Sequence, residues 1–130
     1  MPNRALISIV DDDESVGRAI RRLVASAGLR AEVFDSAEAF LGSPVCAKAA
    51  CLILDLRLPG MSGLELQTRL AAVRPDLSIV FISSYPGEEV RARALSAGAV
   101  AFLSKPFQHE DLLDAVRCAL AAAPPRPPPA

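Results

Sequence analysis

Histidine occurs once in the 130 residues, at position 109, and cysteine only three times, at Cys46, Cys51 and Cys118. An odd cysteine count with no C-x-x-C spacing argues against a disulfide framework or a zinc site, and a reducing, cytoplasmic setting is expected. No run approaches the ~20 apolar residues that a bilayer-spanning helix needs. Met1 to Ala5 also lacks the basic-then-apolar pattern of a secretory signal, so no membrane association is expected. An excess of one charge is missing too. Fourteen Lys and Arg meet fifteen Asp and Glu, which leaves no electrostatic footprint for nucleic acid or anionic lipid. Apolar residues are plentiful. Hydrophobic side chains make up 52% of the chain and charged ones 22%, a balance that excludes bulk disorder. The length suits one domain of about 100–150 residues with a real core.

The apolar residues fall into two alternating patterns. Ala5 to Val10 is a short, β-branched run stopped by acids, which predicts a buried strand. Glu14 to Gly28 carries Val16, Ile20, Leu23, Val24 and Ala27 on one helical stripe, with Gly28 as the stop. Arg30 to Phe34 predicts a weaker second strand. Ser36 is an expected N-cap for a short helix through Leu41, closed by Gly42 and Pro44. Cys51 to Leu54 is a third apolar run. A Gly- and Pro-containing loop follows, and then a helix over 64–73 with Leu66, Leu70 and Val73 on one side. Ile79 to Ile82 is the fourth strand. The helix predicted over 88–97 has a thin stripe of Val90, Ala94 and Ala97 and stops at Gly98. Val100 to Leu103 is the fifth strand, and Gln108 to Ala122 the last helix. Pro124 to Pro129 reads as an extended polyproline tail. Residues 1–122 are thus expected to form one domain and 123–130 a proline-rich tail or linker stub. Five strand–helix units predict an α/β fold, a flavodoxin-like (βα)5 doubly wound parallel sheet with strand order 2-1-3-4-5.

Polar residues punctuate the strand ends. Strand one runs into Asp11, Asp12 and Asp13, strand three into Asp55, strand four into Ser83 and strand five into Lys105. In open parallel sheets, sites lie at the carboxyl ends of the strands. The predicted order makes these four strands neighbours and puts strand two at an edge. Asp35, which trails strand two, is therefore an internal control with no expected site role. Clustered carboxylates repel and raise one another's pKa, so a cation should offset them. Lys105 is one candidate, and a hard divalent ion such as Mg²⁺ is the other. Carboxylate, metal, lysine and hydroxyl are the parts that bind a phosphoryl group, and Asp55 is the expected nucleophile. Asp13 and Glu14 read as helix-leading acids, with Asp13 as N-cap.

Five segments, in order, resemble the receiver domain of a two-component response regulator. They are Val10 to Val16, Ser36 to Leu41, Leu54 to Leu66, Ala97 to Leu103, and Lys105-Pro106-Phe107. The likeness is of the nitrogen-fixation-regulator type, in which the receiver precedes a LuxR-type helix-turn-helix domain, and it spans about Leu6 to Leu120. It implies that Asp55 is the phosphoacceptor. It also implies that Asp11, Asp12, Asp55 and the Arg57 backbone carbonyl serve Mg²⁺, with Asp12 direct and Asp11 through water. Lys105, Ser83 and the neighbouring Ser84 would meet the phosphoryl group. Ser83 and Phe102 would form the switch, although Phe102 reads equally well as plain core. The Lys105–Pro106 peptide bond would be cis. The phosphoryl donor would be a sensor histidine kinase or histidine phosphotransfer protein, because His109 sits at a helix start and reads as solvated. A homodimer would form through the face made by the helix at 88–97, the fifth strand and the last helix. The output, such as transcription, would lie in a missing or separate effector, with no direct nucleic-acid binding by these residues.

Ser83 stands where Thr is usual in that family and Ser84 where Gly or Ala is usual. The Ser84 to Glu89 segment also lacks the common Gly-Asp loop. These departures bear on phosphoryl lifetime. Two other classes compete with the receiver reading. A phosphohydrolase of the haloacid-dehalogenase type needs a second Asp two residues after its nucleophile, and here that position is Arg57. A phosphorylation-independent interaction module would keep the scaffold without the chemistry.

Overall fold

The computed structural model describes residues 5–84 and 87–122. The expected tail over 123–130 lies outside the described residues, as do Tyr85 and Pro86 of the segment after strand four. The order is β1 (Leu6–Val10), α1 (Glu14–Ser26), β2 (Arg30–Phe34), α2 (Ala37–Leu41), α3 (Val45–Lys48), β3 (Cys51–Asp55), α4 (Gly63–Val73), β4 (Ser78–Ser83), α5 (Glu88–Ser96), β5 (Ala101–Ser104) and α6 (His109–Ala122). The five strands form one sheet in the order β2-β1-β3-β4-β5, and every pairing is parallel.

Strand side chains alternate between two cores. Ile7, Ile9, Cys51, Ile53, Val80 and Ile82 face α1 and α6, whose Ile20, Val24, Leu112 and Val116 complete that cluster. Val10, Leu52, Leu54, Ile79 and Phe81 face the other way, toward Phe40 of α2, Leu66 and Leu70 of α4 and Ala94 of α5. Burial of both faces explains why the central strands read as unbroken apolar runs. Asp13 caps α1 and Ser36 caps α2, each accepting backbone N–H bonds from the first helical turn. Gly28, just past α1, has φ +83°, a conformation open to glycine at little cost.

Ala27 and Ala97, expected on the apolar stripes of their helices, are exposed C-cap residues, and two further expectations need correction. The stretch after Gly42 and Pro44, to which the apolar pattern assigns no element, contains α3. Four residues are too few to display a helical period, and this turn is held from outside. Ser43 Oγ accepts the Val45 N–H at 3.1 Å. The Arg74 guanidinium donates to the carbonyls of Cys46 and Ala49, the latter at 2.8 Å. The second correction concerns Val73, expected on the apolar side of its helix but 64% exposed. Its helix ends there, and Leu77, on the returning chain, is buried instead.

Helix α5 is the most lightly held of the longer helices. Its one fully buried side chain is Ala94, and the buried Gln67 of α4 donates from Nε2 to the Ala94 carbonyl at 2.9 Å.

Ser8 lies at the centre of β1, fully buried, and its hydroxyl has no hydrogen-bond partner. A buried unsatisfied hydroxyl is destabilising. Ser8→Ala is therefore expected to raise unfolding free energy by about 1 kcal/mol, measured by urea denaturation; a loss of stability would show that the hydroxyl is satisfied in solution. Burial also pushes the Cys51 thiol up to about 12. The thiolate is the reactive form, so iodoacetamide at pH 8 should spare Cys51 in the folded protein and modify it after denaturation, while the exposed Cys118 reacts in both. Peptide mass mapping distinguishes the two.

Candidate functional site

The sheet delivers its polar residues to one edge. Strand β1 gives way to Asp11, whose N–H donates to the Phe34 carbonyl at 3.0 Å and whose side chain is buried. Asp55 is the last residue of β3, pairs in register with Ile82 and is also buried. Strands β1 and β3 are neighbours and the chain winds away from them in opposite directions, which is the topological switch point where α/β sheets open a crevice. Ligand oxygens of Asp11, Asp12 and Asp55 all lie within 4.8 Å of one another. Asp12 is exposed, so one carboxylate faces solvent and two do not.

Lys105 reaches this group from the far side of β4. Its N–H donates to the Ser83 carbonyl at 2.8 Å, and the Lys105–Pro106 peptide bond is cis. The ammonium lies 3.0 Å from Asp11 Oδ2 and 3.2 Å from Asp55 Oδ2. The remaining oxygens are held by backbone: Asp13 N–H donates to Asp11 Oδ1 at 2.8 Å and Arg57 N–H to Asp55 Oδ1 at 3.0 Å. Burial raises the Asp11 carboxyl above its ordinary 3.8, against the bonds from Asp13 and Lys105, and the charge of Asp55 adds to the rise. Burial works against the Lys105 ammonium, but its bond to Asp11 and the two carboxylate charges outweigh that and hold it above its ordinary 10.5. The signs differ in consequence. The lysine contributes stability that is complete below 10.5 and is lost as pH rises through its raised value, whereas burying Asp11 costs stability as pH climbs from 3.8 to its own raised value.

Three carboxylates against one ammonium leave a negative surplus made entirely of hard oxygen donors. That donor set suits Mg²⁺, which is held by one or two carboxylates and keeps several waters, and it does not suit a soft metal.

The other expected residues differ in burial and contacts. Ser83 is fully buried at the end of β4. Ser84 is exposed and shares a groove of about 380 Å³ with Lys105, walled by Val16, Ile20, Leu23 and Phe107. Arg57 is exposed, and its backbone N–H is engaged at Asp55 Oδ1. Phe102 is buried in the core and stacks on Phe81 with ring centroids 5.8 Å apart. Asp35 is exposed and outside the acidic group, as its edge strand requires. Asp13 is exposed, and the Ser15 hydroxyl, donating to it at 2.7 Å, helps hold its carboxyl below the ordinary value. One contact beside the site has no local signal in the sequence. Glu38 Oε2 accepts the Met61 N–H at 3.0 Å across 23 residues.

Residues 7–117 match the family model of the response regulator receiver domain. The chain belongs to that family. It is 47% identical over 120 residues to the response regulator protein TmoT of Ectopseudomonas mendocina, covering 92% of this chain and 54% of TmoT. It is 33% identical over 120 residues to the transcriptional regulatory protein FixJ of Azorhizobium caulinodans, covering 92% of this chain and 57% of FixJ. The solved structure of the response regulator StyR superposes with a TM-score of 0.82 at 41% identity, over 93% of this chain and 61% of that one. The receiver therefore spans a little over half the length of the curated relatives it matches. It is a receiver domain of two-component, phosphorylation-activated signalling. No helix among the described residues is long and apolar enough to cross a membrane.

Replacing Lys105 by Met removes the only cation that bonds both buried carboxylates among the described residues. The Asp11 carboxyl is then expected to rise further above 3.8. A carboxyl-detected NMR titration reads this directly, and an unmoved Asp11 would mean that backbone donors alone balance the site.

Proposed function

We propose that Asp55 is the phosphoacceptor of this receiver. The observation that carries the reading is the Lys105 ammonium bonded at once to Asp11 and Asp55 beside the solvent-facing Asp12. In this reading an Asp55 carboxylate oxygen attacks phosphorus. The bond from phosphorus to the donor's histidine nitrogen breaks as the Asp55 acyl phosphate, a mixed anhydride, forms, and the imidazole leaves with the electron pair. Asp11, Asp12, Asp55 and the Arg57 carbonyl would hold Mg²⁺, which when bound neutralises phosphoryl charge. Lys105 shifts its ammonium from Asp55 Oδ2 to a phosphoryl oxygen. Ser83 turns its hydroxyl toward another, and Ser84, at the groove beside Lys105, sets how open that side is to water.

The consequence runs outward from Ser83. Its carbonyl already accepts from Lys105, and its strand carries Phe81, which stacks on Phe102. Movement of Ser83 would let Phe102 change rotamer and reposition α5, which is lightly anchored. The reshaped face of α5, β5 and α6 is the proposed homodimer surface, a population shift between two states. The phosphoryl donor is a sensor histidine kinase or a histidine phosphotransfer protein in the cytoplasm. The output, such as transcription, would run through a missing or separate effector. The domain's own chemistry would be self-phosphorylation and autodephosphorylation only, and Arg57 occupies the position where a haloacid-dehalogenase-type phosphohydrolase needs its second acid. Residues 123–130 would be a proline-rich tail or a linker stub.

Intact mass after incubation with acetyl phosphate tests this. One phosphoryl adduct is expected with Mg²⁺, and none without Mg²⁺ or in Asp55→Asn. An adduct that persists in Asp55→Asn would move the acceptor elsewhere, and no adduct under any condition would favour a phosphorylation-independent interaction module.

A further inference from the structure

The loop from Arg57 to Ser62 joins the phosphoacceptor strand to α4, and its two ends are pinned by the site itself. At the start, Arg57 N–H donates to Asp55 Oδ1 at 3.0 Å. At the end, Gly63 N–H donates to the Leu56 carbonyl at 3.0 Å, and a Cβ on Gly63 would stand 2.6 Å from the Asp55 carbonyl oxygen. The apex between them is held from a different element. Glu38, in the first turn of α2, accepts the Met61 N–H at 3.0 Å. Its carboxylate lies in the crook of the turn at Gly60, which has φ +75° and where a Cβ would come within 2.5 Å of Glu38 Oε2. The Met61 N–H, and after it the residue's own backbone N–H and the charge of Arg69, keep the Glu38 carboxyl below its ordinary value, so it is the anion that grips the loop.

We infer that Glu38 is a positioning residue for the cation site: by holding the apex of the Arg57–Ser62 loop it keeps the Arg57 carbonyl set against Asp55. The inference rests on the proposed function, in which that carbonyl is a ligand. Mg²⁺ demands near-ideal geometry, and groups that orient its ligands count for affinity even when they never touch the ion. Glu38 touches neither the ion nor the phosphoryl group. Removing its grip would leave Asp55, Asp11 and Lys105 in place and loosen one ligand only.

The test is Mg²⁺ binding to the unphosphorylated domain, followed by NMR shifts of the Arg57 and Leu58 amides. Glu38→Ala is expected to weaken Mg²⁺ on the order of threefold to tenfold, below the range for residues that contact a ligand directly. Glu38→Gln, whose amide oxygen still accepts from Met61, should stay near wild type. Gly60→Ala, which forces the carboxylate out of the turn, should resemble Glu38→Ala. Coupling is reciprocal, so Mg²⁺ should also slow hydrogen exchange of the Met61 amide in the unaltered protein, a readout that needs no variant to fold. Wild-type Mg²⁺ affinity in a folded Glu38→Ala, or unchanged Met61 exchange, overturns the inference while leaving the phosphoacceptor reading intact. A wild-type domain that takes up neither Mg²⁺ nor a phosphoryl group overturns both.

Discussion

Two carboxylates buried side by side at the edge of a sheet repel each other and lose hydration, and on those terms the site would not form. The Lys105 ammonium, 3.0 Å from Asp11 and 3.2 Å from Asp55, makes it tolerable. Breaking a buried ion pair by removing one partner leaves an uncompensated charge, which costs far more than the pair itself contributes. The three residues come from the ends of β1, β3 and β5, so the pairing also constrains the order of strands. In the observed order β1 lies beside β3 and β4 lies between β3 and β5, and in that arrangement one lysine reaches both acids.

The rest of the molecule serves that constraint unevenly. The face covered by α1 and α6 packs Ile, Val and Cys from three strands against Ile20 and Val24 of one helix and Leu112 and Val116 of the other. The opposite face includes α5, held by Ala94 and by the Gln67 side chain. Local stability follows buried contacts, so the element with least to lose by moving is the one next to the Phe81–Phe102 stack. A rigid floor beneath the carboxylates and a lightly tied helix beside them is an arrangement in which a change of charge at Asp55 can be read at a distance.

Much of this was legible in the residues alone. Period-two and period-3.6 apolar patterns marked each long element because burial leaves that trace in any strand or helix facing a core. Acids and a lysine directly after apolar runs marked the site, since a charge at that place has no packing reason to be there. Asp35 follows the same local rule, and only its edge position in the sheet sets it apart. The pattern was silent where a segment is held by one distant side chain. Helix α3 depends on Arg74, α5 on Gln67, and the apex of the loop after Asp55 on Glu38. Val73 misled because its helix ends at that residue and the core is closed by Leu77 instead.

The residues, taken in order along the chain, set the alternation of strand and helix, the two-faced burial of the central strands, and which residue types stand at the strand ends. These follow from local chemistry: turn residues, caps and the spacing of apolar side chains along one stretch of chain. It took the packed fold to bring Lys105 against two carboxylates 94 and 50 residues away. Only it showed that Phe102 stacks on Phe81 in the core, and that Glu38 grips a loop 23 residues further on. Hydrogen bonds and ion pairs form between groups brought within about 3 Å of each other. Which groups meet at that distance is set by how the helices and strands pack, and no stretch of sequence records it locally.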